Sequence, residues 1–356
     1  MKRLRGVLFG SVAAGVGLTL VASAAGTAAK SHAQIRQVQG RIEALAIDGN
    51  RIAYDVGSTL GKNNNTVVVW DLRTGKTTTV SGKRTRMVDN SSTGSGVFQL
   101  AIAGTRMARL ANVGGNTEGD DYLFSSSVTK PKEQRLAWTQ RFGDNCAGRS
   151  AGCSGPWLGG LVGSGSLLAF NRWTTDDTGT VADGGLYVLN GTSMQSIATG
   201  TDTVAAAAAD RNRVAVLRSD GTVGLYSSAG DLLRTVQTNA TAVAWNVHEL
   251  VVLTKTRRLM SYYSPSATLS RNVSLPGKQM PGNLDVQGTI AIYTVGGAVH
   301  AFNLGNRKDR VIGKLSGGIG SARISSAGVV YSSNRFSTKG TLVFLPWATV
   351  AAAVAG

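Results

Sequence analysis

The chain has 356 residues, with 37 Lys plus Arg, 20 Asp plus Glu and 46 Gly. A hydrophobic share of 42% with only 16% charged residues excludes a largely disordered protein, because so much apolar side chain can form a core. Gly, Ser, Thr and Val dominate over strong helix formers, which indicates many short strands joined by tight turns. The net charge of +17 would attract nucleic acid, anionic lipid or acidic polymer without selecting among them, and general solubility is the preferred interpretation of this charge.

The first 33 residues have the pattern of a secretory signal peptide. The basic start MKRLR precedes an apolar run from Gly6 to Ala22, and small residues follow it. Cleavage fits after Ala24, Ala29 or Ala33. The alternative is a retained membrane anchor, but the run is short for a span and contains several glycines. We predict a signal peptide over residues 1–33 and one domain over 34–356, secreted or otherwise extracytoplasmic, in the periplasm or at the cell surface. No segment after residue 33 has the length and hydrophobicity of a transmembrane span.

Beyond residue 33 the chain repeats one motif of short strands. The first copy contains the strand RIAYDV, the strand VVVWDL and the turn RTGK. The second strands of the copies align as RIAY, RMAR, SLLAF, RVAV, ELVVL, TIAIY and GVVYS. The seven copies begin near Ile42, Val97, Trp157, Val204, Thr241, Asn283 and Ser321.

A four-stranded sheet of this length cannot bury both faces alone, whereas sheets stacked around an axis can. We therefore predict an all-β protein, a single β-propeller with seven four-stranded blades, with six or eight blades as alternatives. The first strands are rich in small residues, as in Ala205–Ala209, which suits the crowded axis. The last copy shows only three clear strands, and Gln34–Gln39 could supply the fourth and close the ring.

Two segments resemble known propeller families. The segment from Asp48 to Tyr54, echoed from Asp210 to Val216, resembles the turn and strand of TolB-like propellers. The WD dipeptide in VVVWDLRTGK, which ends at Lys76, is similar to that of WD-repeat propellers, although their Gly-His pair is absent. The resemblance implies a propeller fold and transfers no site residues.

Two cysteines lie close together in a Gly- and Ser-rich segment. Cys146 and Cys153 occur in DNCAGRSAGCSG, which has no strand pattern. In an oxidising compartment such a pair predicts a disulfide that closes the loop from Thr139 to Pro156.

Long connections are expected on one face of blades one to three. They run from Gly57 to Asn65, Asn112 to Asp121 and Asn171 to Gly185, whereas blades four to six have very short turns at the same place. The cysteine loop joins that face. Trp173 is an expected aromatic anchor. The predicted ligand-binding residues are Trp173, Asp176, Asp177, Asp183, Glu118, Asp120 and Asp121. Their carboxylates could hold Ca²⁺, but they lack the ligand spacing of a known Ca²⁺ loop, so we expect no metal site and no cofactor.

Signals of catalysis are weak. After residue 33 only His248 and His300 remain, and neither lies beside a carboxylate in sequence. We expect His248 in a solvated turn, whereas His300 could face the axis. We therefore expect a monomeric binding scaffold rather than an enzyme. Its partner would be a protein or a cell-envelope polymer, with no specific nucleic acid recognition. The alternative is a propeller hydrolase or lyase with its site at the axial opening.

The cysteine assignment predicts that the exported protein contains no free thiol. Alkylation of the denatured protein without reductant should label neither Cys146 nor Cys153, and prior reduction should expose both to the reagent. Mass spectrometry of the peptides measures this, and labelling of both cysteines without reductant would disprove the disulfide.

Overall fold

The computed structural model describes most of the chain beyond the N-terminal segment. The described residues are 33–57, 66–80, 94–114, 119–129, 132–140, 154–176, 178, 180–200, 207–236, 238–264 and 266–356. The predicted signal peptide, except residue 33, and both cysteines lie outside them, so export and the disulfide stay predictions.

The described residues form seven four-stranded antiparallel sheets arranged as the blades of a propeller, which confirms the predicted fold and blade number. Blades 1 and 2 comprise β2 (Leu45–Asp48), β3 (Arg51–Val56), β4 (Thr66–Asp71), β5 (Thr77–Val80), β6 (Gly94–Ala103), β7 (Arg106–Gly114), β8 (Gly119–Ser127) and β9 (Gln134–Gln140). Blades 3 and 4 comprise β10 (Ser154–Ser164), β11 (Leu167–Thr175), β12 (Val181–Asn190), β13 (Ser193–Thr199), β14 (Ala207–Asp210), β15 (Arg213–Leu217), β16 (Val223–Ser227) and β17 (Leu232–Val236).

Blades 5 and 6 comprise β18 (Ala240–Trp245), β19 (Glu249–Thr254), β20 (Arg258–Tyr263), β21 (Thr268–Ser274), β22 (Gly282–Gln287), β23 (Ile290–Val295), β24 (Ala298–Asn303) and β25 (Asp309–Lys314). Blade 7 is built from β26 (Ile319–Ser325), β27 (Gly328–Ser333) and β28 (Lys339–Pro346), completed by β1 (Gln34–Gln39). A short helix, α1 (Trp347–Ala353), ends the chain. No helix among the described residues is long and apolar enough to cross a membrane.

The two ends of the propeller meet in blade 7. Strand β1 pairs antiparallel with β28, with Gln34 opposite Phe344 and Gln39 opposite Lys339. This pairing confirms the prediction that Gln34–Gln39 closes the ring.

A hydrophobic cluster, here called the seam, fills the junction between blades 7 and 1. Its buried members are Ile42, Leu45, Ile52, Tyr54, Trp70, Val330, Leu342 and Phe344. The indole of Trp70 is 1% exposed and meets the Phe344 ring edge-on, at 6.2 Å between centroids. The guanidinium of Arg36, on β1, lies 4.2 Å from the Trp70 ring centroid and donates a hydrogen bond to the carbonyl oxygen of Gly75. The tryptophan of the WD dipeptide therefore joins the first blade to both terminal strands.

The first strands line the axis and carry small residues, as predicted. Strand β14 (Ala207–Asp210) confirms that the alanine run ends in a strand rather than a helix. Gly163 shows why size matters there, because a Cβ on it would lie 2.5 Å from the carbonyl oxygen of Ile102 in the neighbouring blade.

The connections divide between two faces of the ring. The turns from first to second strand and from third to fourth strand lie on what we call the lower face. The turns from second to third strand, and the connections to the next blade, lie on the upper face. Helix α1 follows the third sequential strand of blade 7 and therefore lies towards the lower face.

A buried carboxylate fixes one upper connection of blade 1. Oδ1 of Asp55 accepts hydrogen bonds from the backbone N–H groups of Glu43 and Ala44, both at 2.8 Å. Burial outweighs these bonds and raises the pKa of Asp55 to about 7, from 3.8.

The raised pKa predicts a stability that falls with increasing pH. Because the folded protein holds this proton more tightly than the unfolded chain, the stabilisation is complete below about pH 4 and is lost as pH rises towards 7. In Asp55→Asn the amide oxygen can still accept these hydrogen bonds, but the side chain does not titrate. The free energy of unfolding of the variant, relative to that of the wild type, should therefore rise by roughly a few kcal/mol between pH 4 and pH 7. Urea unfolding at several pH values measures the difference. Asp71→Asn, at the end of β4 where the side chain is half-buried, controls for net charge. Parallel profiles for wild type and Asp55→Asn would contradict this prediction.

Candidate functional site

The upper face is raised over blades 2 and 3. Strands β7 and β8 pair from Arg106 opposite Ser127 up to Gly114 opposite Gly119. Strands β11 and β12 pair as far as Thr175 opposite Val181. These strands have nine or ten residues, whereas the second and third strands of blades 4 to 6 have five or six. The surplus adds a wall of roughly 10–13 Å at about 3.3 Å per residue. We call these two hairpins the raised hairpins.

The sequence interpretation of this region was wrong in one respect. The segments from Asn112 to Asp121 and from Asn171 to Gly185 were expected to be loops, but most of their residues belong to paired strands. Only 115–118 and the five residues from Asp176 to Thr180 connect the strands. The remaining predicted loop, from Gly57 to Asn65, lies outside the described residues apart from Gly57.

Trp173 lies on β11, the strand of this hairpin that is nearer the axis. It stands opposite Trp157 on β10 and opposite Gly184 on β12, and both indoles are half-buried. The Trp173 ring covers Gly159, since a Cβ there would lie 2.9 Å from a ring carbon. Glycine at this position lets the indole lie flat against the sheet. Trp157 was not among the predicted site residues; its signal was the aromatic residue at the start of the third repeat.

The described acidic residues of the predicted site divide into three kinds. Asp183 is exposed on β12, opposite Thr174. Asp176 closes the hairpin turn: its Oδ1 accepts bonds from N–H and O–H of Thr178 at 2.9 and 2.6 Å and from N–H of Thr180 at 2.9 Å. The bond from the Thr178 hydroxyl, with the backbone bonds, lowers the pKa of Asp176.

Asp120 and Asp121 are buried rather than displayed on a loop, each 2% exposed. Asp120 accepts a hydrogen bond from the Tyr122 hydroxyl at 3.3 Å. Asp121 accepts one from the backbone N–H of Leu158 at 3.4 Å, which joins blade 2 to blade 3 beside Trp157. Glu118 and Asp177 lie outside the described residues. The structure thus places Trp173 and Asp183 on neighbouring strands of blade 3 and joins Asp121 to the first strand of that blade, and their role in ligand binding stays a prediction.

The axis holds a cavity of about 620 Å³ lined by the first strands of all seven blades. Its carboxylates have hydrogen-bond partners in the ring. Asp48 accepts from the N–H of Gly104 in the next blade at 2.6 Å, and Asp210 forms an ion pair with Arg213. Asp285 accepts from the N–H of Ile324 in the next blade at 3.0 Å. Burial raises the pKa of Asp285 against the opposing effect of the nearby Arg323 guanidinium. In the described part of the chain, no group of three or more His, Cys, Asp and Glu side chains could hold a metal ion.

The histidines take different places. His248 is exposed in a lower turn, as expected. His300 does not face the axis: its Nδ1 lies 3.0 Å from Oδ2 of Asp309 on the outermost strand of blade 6, and its ring stacks on Tyr293 at 5.0 Å. The Tyr293 hydroxyl donates to Oδ1 of Asp309 at 2.9 Å. Burial, followed by the interactions with Asp309, raises the pKa of Tyr293. The sequence did not reveal this group, since its members come from three strands.

Comparisons with known proteins support the fold. No protein-family model matches the sequence, and no curated protein matches it either. Among solved structures, a chain in the crystal structure of a mitotic checkpoint complex is 13% identical, covers 96% of this chain and 99% of its own, and has a TM-score of 0.55. The computationally designed Ika8 protein is 16% identical, with 87% and 98% covered and a TM-score of 0.48. The seven-bladed ring and the first of these similarities support the β-propeller fold.

Proposed function

We propose that this chain is an exported binding scaffold whose raised hairpins engage a protein or a cell-envelope polymer. The observation that carries the proposal is the wall over blades 2 and 3, with its half-buried indole pair of Trp157 and Trp173. The equivalent strands of blades 4 to 6 form complete four-stranded blades without such an extension. The extra strand length is therefore not needed to form a blade, which favours a role in recognition.

The chemistry of the wall suits a mixed apolar and polar ligand. An indole buries a large area with few rotatable bonds, so the tryptophan pair can act as an anchor at modest entropic cost. Arg172 and Asp183 are exposed beside Trp173 and its cross-strand neighbours, and they provide charges of both signs. Asp176 shapes the tip through its turn bonds. The expectation that the carboxylates of this region hold no Ca²⁺ stays a prediction.

The cellular setting of the proposal rests on sequence. The pattern of residues 1–33 supports export, and Cys146 with Cys153 suits an oxidising compartment. A finer kinship with TolB-like propellers rests on the segments that begin at Asp48 and Asp210, both of which form lower turns beside the axis. We propose that the exported protein acts as a monomer.

We favour binding over hydrolase or lyase activity because the axial carboxylates form hydrogen bonds and ion pairs within the ring. Asp48 and Asp285 bond to backbone N–H groups of the following blade, and Asp210 pairs with Arg213. These carboxylates are already bonded within the ring and stabilise it, whereas a general acid or base must be within hydrogen-bond reach of a substrate.

Shortening a raised hairpin tests the proposal. In the shortened variant, the turn of blade 4, from Arg218 to Thr222, replaces residues 172–185. The paired residues Asn171 and Leu186 then flank the new turn, as the paired residues Leu217 and Val223 flank it in blade 4. The variant should fold, because blade 4 closes with this turn, and it should lose the partners that the wild type captures from envelope extract.

Point variants measure the contribution of the wall to affinity for a captured partner. Trp173→Ala should weaken binding at least about tenfold, as expected for an aromatic anchor. Met194→Ala, on β13 near the lower face of the same blade, is the matched control and should leave affinity unchanged. A folded hairpin-shortened variant that binds its partners with wild-type affinity would refute the proposal.

A further inference from the structure

The upper face of blades 5 to 7 carries many more cations than acids. Strand direction places two groups of basic residues there: those in or beside the turns from second to third strand, and those in the connections to the next blade. They are Lys255, Arg257, Arg258, Lys278, Lys314, Arg335 and Lys339, of which Lys255, Lys278, Lys314, Arg335 and Lys339 are exposed. We call these five side chains the basic face. None of the five forms an ion pair within the described residues.

The acids of these blades lie elsewhere. Only Glu249, Asp285 and Asp309 occur between residues 239 and 356. Glu249 begins the second strand of blade 5 at the lower edge and pairs with Arg271. Asp309 begins the fourth strand of blade 6, also at the lower edge, and Asp285 bonds to backbone in the inner strand. On the upper side, Glu43 in the connection from blade 7 to blade 1 pairs with Arg41 at 3.8 Å and with none of the five cations of the basic face.

Close contacts join the connections and turns of the three blades on this face. A Cβ on Gly296 would lie 3.3 Å from Oε1 of Gln279, and one on Gly297 would lie 3.6 Å from Cα of Gly318. The N–H of Asn334 donates to the carbonyl oxygen of Gly318 at 2.9 Å. Because these glycines have no side chains, nothing projects from the surface between the connection from blade 5 and the turn of blade 7.

A fixed turn presents a phenylalanine on this face. Phe336 is 70% exposed, the highest value among the exposed large hydrophobic residues of the described chain. Its N–H donates to Oδ1 of Asn334 at 3.0 Å, and the N–H of Ser337 donates to the Asn334 carbonyl at 2.9 Å. The guanidinium of Arg335 lies 4.7 Å from the centroid of the Phe336 ring. Met280, 45% exposed, lies on the connection beside Gln279.

We infer that the basic face of blades 5 to 7 docks on an anionic phospholipid surface, with Phe336 and Met280 entering the interface. This binding is separate from the ligand site proposed on the raised hairpins. Cations near an anionic bilayer are attracted to its lipid headgroups, and apolar side chains at loop tips bury in the boundary between headgroups and acyl chains.

The apolar tips favour a lipid surface over a soluble polyanion. A flexible acidic polymer would be held by cations alone and would leave Phe336 and Met280 in water. A bilayer satisfies both features, because the interface removes apolar area from water while its phosphates neutralise Lys and Arg. The seven-bladed ring presents these residues on one face, so one orientation brings all of them to the membrane.

The test compares two triple variants with the same loss of charge. The face variant is Lys278→Gln/Lys314→Gln/Lys339→Gln, and the control is Arg234→Gln/Arg307→Gln/Arg310→Gln, whose residues lie on an outer strand or a lower turn. All proteins carry the full chain, so any contribution from residues 1–33 is common to them. Each is sedimented with phosphatidylcholine vesicles, with or without phosphatidylglycerol.

The wild type should bind the vesicles that contain phosphatidylglycerol and should not bind the vesicles of phosphatidylcholine alone. The face variant should lose about 100-fold in partition coefficient, at about fivefold per cation, and the control less than about threefold. The partition coefficient of Phe336→Ala should be about tenfold lower than that of the wild type. In Phe336→Trp, the introduced tryptophan should add fluorescence emission that brominated lipid quenches.

Two results would overturn the inference. Equal losses in the face and control variants would mean attraction by net charge alone. A loss confined to the face variant, with wild-type binding by Phe336→Ala and no added quenching in Phe336→Trp, would mean a site for soluble polyanions.

Discussion

Pairing between the two ends of the chain is the constraint on which the ring depends. Strand β1 completes the sheet of blade 7 only after the chain has passed through six other blades, so closure brings together segments about 300 residues apart in sequence. The seam then packs Trp70 of blade 1 between Arg36 of β1 and Phe344 of β28. Contacts of such high sequence separation form against a large loss of chain entropy, which the buried seam offsets.

Closure also explains how the remaining surface is used. Once each blade packs between two neighbours, the side chains around the axis serve the ring itself, as Asp48 and Asp285 do through their bonds to the next blade. The lower turns are short and joined in the same way; for example, Asn246 donates to the carbonyl oxygen of Gly288 at 3.0 Å. The upper face is where blades differ most. Blades 2 and 3 extend it with hairpins, and blades 5 to 7 leave it low and basic.

The sequence predicted the strands of the ring well because their apolar runs recur at a regular interval and end in turn residues. It failed where strands are polar. Asp120 and Asp121, and the pair Gly184 and Gly185, have the composition of a loop, yet their partners across the sheet hold them in strands. Burial of Asp121 depends on the N–H of Leu158 in another blade, a contact that local composition cannot indicate.

Register was the other information missing from the sequence. His300 and Asp309 lie nine positions apart on neighbouring strands, and an irregularity in the pairing between Val299 and His300 shifts that register. A one-residue shift changes which side chains share a face of the sheet. The sequence shows an excess of basic residues from Asn239 onward, but it does not show which of them share a face, since they come from several connections that only the ring brings to one side.

Native-state hydrogen exchange of the full chain tests ring closure most directly. If β1 is an integral part of blade 7, its amides should open with the same free energy as those of β27, the central strand beside β28 in that sheet. Both sets should then respond equally to denaturant. Fast exchange of Gln34–Gln39 while β27 stays protected would contradict the account, because the ring would then be held by packing without its terminal strand.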